Sequence, residues 1–416
     1  MTPQPPIPQD VSRKAVSLLK DLCAVSSPSG DAAGLRKAAD QLGRALERRG
    51  LEVTIADELD GHGQRLPVLR ARGPIVDQPG TVPLLAVGHL DTVLAAEPPR
   101  VENDLMRGTG SVDMKGGLAA MVGALDLLRA RGQSQAARDL LLVVVPDEEV
   151  IGRLTREVME MHGPQARAVW VLEPGSPREV SEDETPPVET LVIGRRGRFQ
   201  WQTDVHGRSA HAGNGYWHGR SAATAATRWW LECESLARPG RGPTINAGRL
   251  VAGEADFVDD IERHADLLGS PRQINVVPNR ARVEGEARFL AVADGEQVAA
   301  AMETTANRIA EQTETLFDFR TDSWVRPMVP GVAGRRWATL ARDLAHQAGW
   351  SLETEEDRPG ISFSNFLPDA GSIPVLDGLG PVGGGMHTRD EFVDLRSLDR
   401  RIVLLADLLE ATSGSC

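Results

Sequence analysis

The stretch LLLVVVPDEEV (residues 140–150) joins six consecutive apolar residues to three acidic ones. A short strand that is apolar at every position is typical of a parallel sheet covered by helices on both faces. Asp147, Glu148 and Glu149 follow the carboxyl end of this predicted strand, where ligands bind in α/β sheets. A solvated turn is the simpler explanation of three acids. They point to a site only if other strands bring functional side chains to the same edge.

Two further apolar runs have the same design. VPLLAVGHLD ends at His89 and Asp91, and ARAVWVLEP ends near Glu173. Between the first two strands, residues 115–132 (KGGLAAMVGALDLLRARG) predict a helix, which makes a strand–helix–strand crossover. These patterns predict an α/β fold with a mixed, largely parallel sheet. Polar side chains would meet at its carboxyl edge.

Length and composition narrow the class of protein. At 416 residues the chain exceeds what one core usually serves, which predicts two domains. The formal net charge of −13 argues against a nucleic-acid or membrane partner. No apolar run is long enough to span a bilayer. Because Cys23, Cys233 and Cys416 are far apart, we expect free thiols and a cytoplasmic protein.

The middle of the chain has a different character. The stretch ETLVIGRRGRFQWQTDVHG alternates as an antiparallel strand does, and we expect Arg195 and Arg196 to be solvated at its start. Further alternating strands and two helices follow, before the α/β texture returns. We interpret residues 193–327 as a domain inserted between two parts of a catalytic domain, 1–192 and 328–416.

The predicted sheet edge and its loops carry imidazoles and carboxylates but no thiolates: His89, Asp113, Glu148, Glu149, Glu173 and His387. Such donors suit zinc, manganese or cobalt in an open catalytic site. With one of the two adjacent glutamates set aside, five ligands remain, which are too many for one ion with an open position. They fit two ions about 3.5–4 Å apart that share a bridging carboxylate.

The two adjacent glutamates are expected to have different roles. In an extended chain Glu148 and Glu149 point in opposite directions, so both cannot easily bind the same ion. One can bind metal while its neighbour acts as general base. Asp91 shares a strand face with His89 and can fix its tautomer. Asp147 is expected to be solvated or to lie behind the ligands.

Seven motifs occur in a fixed order along the chain: GHLDT, GTGSVDMKGG, DEE, VLEPG, GRSAHAG, NVVPN and MH. Together they resemble the M20 family of dinuclear zinc amidohydrolases and exopeptidases. Its members include glutamate carboxypeptidases, acetylornithine deacetylases and succinyl-diaminopimelate desuccinylases. The resemblance spans roughly residues 15–410. It implies a zinc-exopeptidase-like catalytic domain and a ferredoxin-like lid domain through which the chain forms a homodimer.

The resemblance also implies a set of metal ligands. His89 and Glu173 would hold one ion. Glu149 and His387 would hold the other, and Asp113 would bridge the two. In such enzymes the peptide bond after the bridging aspartate is often cis. The ions are expected to be zinc, with cobalt and manganese as alternatives.

Three catalytic roles follow from the same resemblance. Glu148 would act as general base and then as general acid. Asp91 would clamp the imidazole of His89. His211, in the lid, would reach the active site of the partner subunit and support the oxyanion.

The resemblance implies substrate contacts as well. Asn275 would contact the substrate, and Arg288 would grip its free carboxylate, with Arg326 as a second candidate. The stretch RPGISFSNFLPDAG departs from the Gly-Gly-Thr/Ser-Asp pattern that lines the pocket in many relatives. We expect Ser362 and Asn365 to keep polar contacts there, in a less acidic pocket.

The predicted function is hydrolysis of an amide bond next to a free carboxylate, with a small peptide or N-acyl amino acid as substrate. Release of a C-terminal amino acid, as by a glutamate carboxypeptidase, is the first choice. Deacylation of an N-acyl amino acid uses the same chemistry and is the alternative. A non-catalytic binding protein on the same fold is the alternative from another class.

Overall fold

The structure is a computed structural model that describes residues 7–176, 188–261, 276–368 and 371–413. The chain forms two compact units. The first unit comprises Met1–Gly194, Met328–Arg358 and Ser362–Cys416, and the second comprises Arg195–Pro327 and Pro359–Ile361.

The elements are numbered in chain order. The strands are β1 (Glu52–Leu59), β2 (Arg65–Arg72), β3 (Leu84–His89), β4 (Arg100–Glu102), β5 (Leu105–Arg107), β6 (Leu140–Val145), β7 (Ala168–Val171), β8 (Val188–Val192), β9 (Gly197–His206), β10 (Thr244–Gly253), β11 (Arg280–Phe289), β12 (Leu316–Val325), β13 (Ser351–Glu355), β14 (Val375–Leu376), β15 (Gly383–Gly384) and β16 (Phe392–Asp394). The α-helices are α1 (Gln9–Cys23), α2 (Ala32–Glu47), α3 (Lys115–Ala130), α4 (Arg153–His162), α5 (Ala222–Glu234), α6 (Ala255–Ile261), α7 (Val292–Thr313), α8 (Val332–Gln347) and α9 (Leu395–Thr412).

A six-stranded mixed sheet forms the centre of the first unit, in the order β1-β2-β6-β3-β7-β14. The strands β6, β3, β7 and β14 are parallel, whereas β1 and β2 are antiparallel to their neighbours. Every residue of β3 and β6 is buried, as their unbroken apolar sequences predict. The predicted largely parallel sheet is confirmed.

Pairing within this sheet aligns the carboxyl ends of its central strands. His89, the last residue of β3, pairs with Val145, the last residue of β6. Strand β7 ends at Val171, two residues before Glu173. The polar residues that follow these three strands therefore emerge at one edge.

The segment predicted as one alternating strand is two strands. β8 pairs in parallel with β13 in the first unit, whereas β9 belongs to the second unit. The break falls at Gly194, where a Cβ atom would lie 2.2 Å from the carbonyl oxygen of Glu356. The alternation of polarity is interrupted here by two adjacent charged residues, Arg195 and Arg196.

Arg195 and Arg196, predicted to be solvated, are buried; that prediction was wrong. Arg195 donates from Nη1 to the carbonyl oxygen of Gly360 at 3.0 Å. Arg196 donates to the carbonyl oxygens of Gly240 and Gly242, both at 2.6 Å. The guanidinium groups thus satisfy loop carbonyls that burial removes from water.

The second unit is a four-stranded antiparallel sheet in the order β10-β11-β9-β12. Its order along the chain, β9-α5-β10-β11-α7-β12 with the short α6 after β10, is the ferredoxin-like arrangement. Trp201 and Trp229 pack edge to face in its core. The indole of Trp229 donates to the carbonyl oxygen of Met302 in α7, which fixes one helix against the other. No helix in the described ranges is long and apolar enough to cross a membrane.

Candidate dinuclear metal centre

Two groups of side chains lie at the carboxyl edge of the large sheet. Within each group, the possible ligand atoms all lie within 4.8 Å of one another. One group is His89, Asp113 and Glu173, and the other is Asp113, Glu149 and His387. Asp113 belongs to both groups. The structure therefore brings together the five predicted ligands, with one carboxylate placed between two sites.

The two oxygens of Asp113 face different imidazoles. Oδ1 lies 3.3 Å from Nε2 of His89, and Oδ2 lies 3.2 Å from Nε2 of His387. Nε2 of His89 is also 3.6 Å from Oε1 of Glu173. Nε2 of His387 is 3.1 Å from Oε2 of Glu149. This arrangement matches a carboxylate that bridges two ions.

Local backbone geometry places the bridging residue. The peptide bond between Asp113 and Met114 is cis, as the family resemblance implies. Helix α3 starts directly afterwards, and a Cβ atom at its Gly117 would lie 1.9 Å from the carbonyl oxygen of Leu172. Only glycine permits this approach, which sets the start of α3 against the segment that carries Glu173.

Asp91 connects the segments that follow strands β3 and β6. Its carboxylate accepts the backbone N–H groups of Glu148 and Glu149, each at 3.1 Å, and the hydroxyl of Ser29 at 2.8 Å. Nδ1 of His89 lies 2.9 Å from the carbonyl oxygen of Asp91 and 3.3 Å from its carboxylate. Asp91 thus contacts the imidazole of His89 and also holds the backbone of the two glutamates; its role as a clamp on a metal ligand stays a prediction.

The donor set suits a divalent metal. Nε2 of His89 is buried and has no hydrogen bond of good geometry in the described part of the chain, although two carboxylate oxygens face it. Oxygen and imidazole donors without thiolate fit zinc, manganese or cobalt. An ion between these groups would satisfy the imidazole nitrogen and neutralise the carboxylates.

Burial and mutual repulsion change the acidity of the two glutamates. Burial, reinforced by the Glu173 carboxylate, raises the pKa of Glu148 well above its ordinary value. Burial, with the Asp113 carboxylate nearby, raises the pKa of Glu149 to about 7. Shifts of this kind concentrate at functional sites, and the raised pKa suits Glu148 to hold a proton near neutral pH.

The imidazoles share charge with the bridging carboxylate. Burial disfavours the charged form of Asp113, but the nearby imidazoles of His387 and His89 outweigh it and hold the pKa of Asp113 below its usual range. The hydrogen bond with Asp113 raises the pKa of His387 to about 9. Burial acts against the charge of His89, yet Asp113 and Asp91 raise its pKa well above the ordinary value. Divalent cations would supply the same compensation in place of protons.

Ser362 and Asn365, expected to contact substrate, are 2% and 5% exposed and contact the protein's own groups. The Ser362 hydroxyl donates to Oε1 of Glu173 at 3.3 Å. Asn365 accepts the backbone N–H of Ser362 at 3.1 Å, and the Phe363 ring stacks on His89 with centroids 6.5 Å apart. This segment packs against Glu173 and His89, and substrate contact by Ser362 and Asn365 stays a prediction.

The remaining predicted residues belong to the second unit. His211 is exposed, and its Nδ1 accepts the backbone N–H groups of Gly213 and Asn214 at 3.1 and 3.2 Å. Arg288 donates from Nε to Glu286 at 2.7 Å, and its Nη1 contacts the carbonyl oxygen of Pro359.

Two other predicted substrate contacts also fall in this part of the chain. Arg326 is exposed directly after β12. Asn275 lies outside the described residues.

Sequence reasoning missed three buried polar roles. Asp147 is not solvated: it accepts the backbone N–H groups of Leu154 and Thr155 and thereby caps α4. The ammonium of Lys115 is buried and donates to the carbonyl oxygen of Val25. Glu391, four residues after His387, is buried against the backbone of the loop that carries Asp113. For Glu391, the acid that follows the predicted histidine ligand was the available signal.

Comparison with known proteins identifies the family. Residues 85–411 match the sequence profile of Peptidase family M20/M25/M40, and the chain belongs to this family. It is 26% identical over 419 residues to carboxypeptidase G2 of Pseudomonas sp. (strain RS-16), a match that covers 96% of this chain and 89% of that relative. It is 24% identical over 384 residues to succinyl-diaminopimelate desuccinylase of Halorhodospira halophila, with 88% of this chain and 93% of the relative covered.

Solved structures share the fold. Aminopeptidase PepT from Bacillus cereus ATCC 10987 matches with a TM-score of 0.75 and 19% identity, over 96% of this chain and 98% of that one. The dinuclear metal-binding M20 peptidase YXEP of Bacillus subtilis matches with a TM-score of 0.67 and 15% identity, over 98% and 100% of the two chains. The predicted family, fold and enzyme class are thus confirmed: the protein is an M20-type peptidase or amidohydrolase, from a metal-dependent family.

Proposed function

We propose that the protein hydrolyses an amide bond next to a free carboxylate and releases a C-terminal amino acid from a small peptide or N-acyl conjugate. The observation that carries this proposal is the pair of ligand groups joined by Asp113, with the half-buried Glu148 beside them on the chain. The similarity to carboxypeptidase G2 supports the choice of bond.

Five side chains hold two divalent ions in this proposal. His89 and Glu173 serve one ion and Glu149 and His387 serve the other, with Asp113 shared. Zinc is the first choice, and cobalt and manganese suit the same donors. When bound, the ions polarise the scissile carbonyl and increase the acidity of water. Glu148, next to Glu149 in the sequence, would be the residue that exchanges protons with the reacting groups.

Glu148 moves the proton in both halves of the reaction. It accepts a proton from the attacking water and then donates it to the leaving amine, which needs a pKa near the working pH. Burial and the neighbouring carboxylate move its pKa in that direction. Asp91 holds the backbone N–H of Glu148, which keeps this side chain in place.

His211 supplies a hydrogen-bond donor for the oxyanion. Because its Nδ1 accepts two backbone N–H groups, the neutral ring carries its proton on Nε2, which is the donor that an oxyanion needs. We place this donor in the active site of a second copy of the chain, within a homodimer formed through residues 193–327. These residues then act as the lid and dimerisation domain of a catalytic domain formed by 1–192 and 328–416.

Mixing two inactive variants tests this arrangement. A dimer of one His211→Ala chain and one Glu148→Gln chain contains one complete active site if His211 acts on the partner, and none if it acts within its own chain. Equal amounts of the two variants, exchanged and reassembled, are therefore expected to recover roughly a quarter of wild-type activity. No recovery despite hybrid dimers in native mass spectra contradicts the assignment.

Substrate carboxylate recognition falls to Arg288. Its Nε is held by Glu286 and its Nη1 contacts the carbonyl oxygen of Pro359. Its Nη2 has no hydrogen bond to another residue in the described ranges and can bind a carboxylate. Arg326 and Asn275 are secondary candidates. We expect Arg288→Ala to raise KM roughly 10–100-fold for substrates with a free α-carboxylate, and to leave their amidated analogues almost unchanged.

N-acyl-amino-acid deacylation is the second candidate, supported by the similarity to a desuccinylase. A panel of dipeptides, N-acyl glutamates and N-acetyl or N-succinyl amino acids, each with added zinc, cobalt or manganese, separates the two. If the enzyme accepts many different acyl groups but requires one particular C-terminal residue, the result supports the carboxypeptidase reaction. Failure of every substrate with a free α-carboxylate contradicts the proposal. A cytoplasmic location is proposed with it, consistent with the free thiols of Cys23 and Cys233.

A further inference from the structure

We propose that Glu391 is a positioning residue for the metal centre: its buried carboxylate fixes the loop that presents Asp113 and joins it to the turn that presents His387. This inference rests on the proposed function, because it concerns the same pair of ions. It assigns a role to a side chain that binds no ion itself.

The carboxylate of Glu391 contacts the Asp113 loop at three points. Oε2 accepts the backbone N–H of Gly110 at 2.7 Å. Oε1 accepts the backbone N–H groups of Val112 and Asp113 at 3.0 and 3.1 Å. Glu391 is 3% exposed, and these contacts join segments separated by 278 to 281 residues of sequence. Three donors on two oxygens restrict both the position and the rotation of the loop.

The backbone connects Glu391 to His387, the other predicted ligand. Glu391 lies four residues after His387 and directly before β16. The carbonyl oxygen of Glu391 accepts the backbone N–H of Gly108 at 3.1 Å, and β16 pairs with β5 immediately before the Asp113 loop. The turn around His387 is closed by hydrogen bonds from Thr388 to the carbonyl oxygen of Gly385. The two ligand-bearing segments therefore meet at one buried carboxylate.

The chemistry of the contacts favours positioning over charge pairing. No arginine or lysine in the described ranges comes within 4.0 Å of the Glu391 carboxylate, and its partners are all backbone N–H groups of one loop. Asp113 is the ligand that both ion sites share. A shift of this loop would consequently weaken both sites at once.

Substitution by glutamine is the most informative change. The Glu391→Gln variant keeps one acceptor oxygen and replaces the other by an NH₂ group, which would oppose the N–H of Gly110. Glu391→Asp keeps both oxygens and withdraws them by one methylene. Glu189→Gln is the control for loss of a buried carboxylate, because Glu189 is equally buried and pairs with Arg400 and Arg401, not with the loops that carry Asp113 and His387.

The experiment measures zinc stoichiometry and affinity by competition with a chromophoric chelator, with thermal unfolding of the chelator-treated proteins alongside. The wild type is expected to bind two ions per chain. Glu391→Gln is expected to lose about 10–100-fold in affinity for both ions, while Glu189→Gln loses thermal stability and keeps its zinc affinity. If Glu391→Gln does not fold, Glu391→Asp decides by the same measurement, with an expected loss in the same direction.

Two results would overturn the inference. One is a folded variant of Glu391 that binds both ions within about threefold of the wild type. The other is an equal loss of zinc affinity in Glu189→Gln, which would mean that general destabilisation accounts for the effect. A wild type that binds no zinc, cobalt or manganese would overturn the proposed function itself, and this inference with it.

Discussion

Replacing Asp91 by asparagine should separate metal positioning from general stability. Asp91 uses both carboxylate oxygens: Oδ1 accepts the backbone N–H of Glu148, and Oδ2 accepts that of Glu149 and the hydroxyl of Ser29. Asparagine offers one acceptor, and its NH₂ group would oppose one of these N–H donors. Loss of one hydrogen bond to a charged acceptor amounts to about 1.5–3 kcal/mol.

That free energy sets the expected effect on activity. If this loss of free energy falls on the positioning of Glu148 and Glu149, kcat/KM for the best substrate falls roughly 10–150-fold, since each 1.4 kcal/mol is about tenfold. Zinc affinity should fall by a comparable factor, measured by chelator competition. Asp147→Asn is the control, because the Asp147 carboxylate accepts its hydrogen bonds from the start of α4. It should lower the melting temperature and change kcat/KM by less than about threefold. Retention of both activity and zinc affinity in Asp91→Asn would refute this reasoning.

Other outcomes follow from ionisation and burial. In chelator-treated protein the raised pKa values of Glu149 (about 7) and His387 (about 9) favour their protonated forms in the folded state. The stability of the chelator-treated protein should therefore be greatest near pH 5 and fall as the pH rises to 9. Glu149 accounts for on the order of 2 kcal/mol of this fall, and added zinc should reverse it. A melting temperature that stays constant or rises over this pH range contradicts the prediction. Burial raises the pKa of the Cys23 and Cys233 thiols to about 12, so a Cys416→Ser variant should show no reactive thiol in the native state and two after denaturation. Rapid native reaction with a disulfide reagent at pH 8 would count against that burial.

The sequence predicts the sheet edge well because the signal there is local. An unbroken apolar strand with polar residues at its end or within the next few positions reveals its place in a few adjacent letters, as at His89 and Glu149. The structure brings these side chains together with Asp113. Metal binding itself stays a prediction.

Long-range contacts are not visible in the same way. Ser362 and Asn365 have the polarity of pocket residues, but the direction of their side chains depends on packing against Glu173, 189 residues away from Ser362. Arg195 looks like a solvated cation until the carbonyl oxygen of Gly360 is placed beside it. Local composition specifies polarity in such cases, and tertiary structure decides which partner satisfies it.

Two ions held by five side chains, with Glu148 as the carrier of the proton, are the basis of the proposed activity. Metal content and turnover of the wild type and Glu148→Gln, measured on the same preparations, test it most directly. We predict two ions per chain in both proteins, and turnover in the variant lower by at least about 10²-fold, because glutamine cannot exchange the proton. Turnover at the wild-type rate in Glu148→Gln, or a fully active wild type that holds a single ion, would contradict this mechanism.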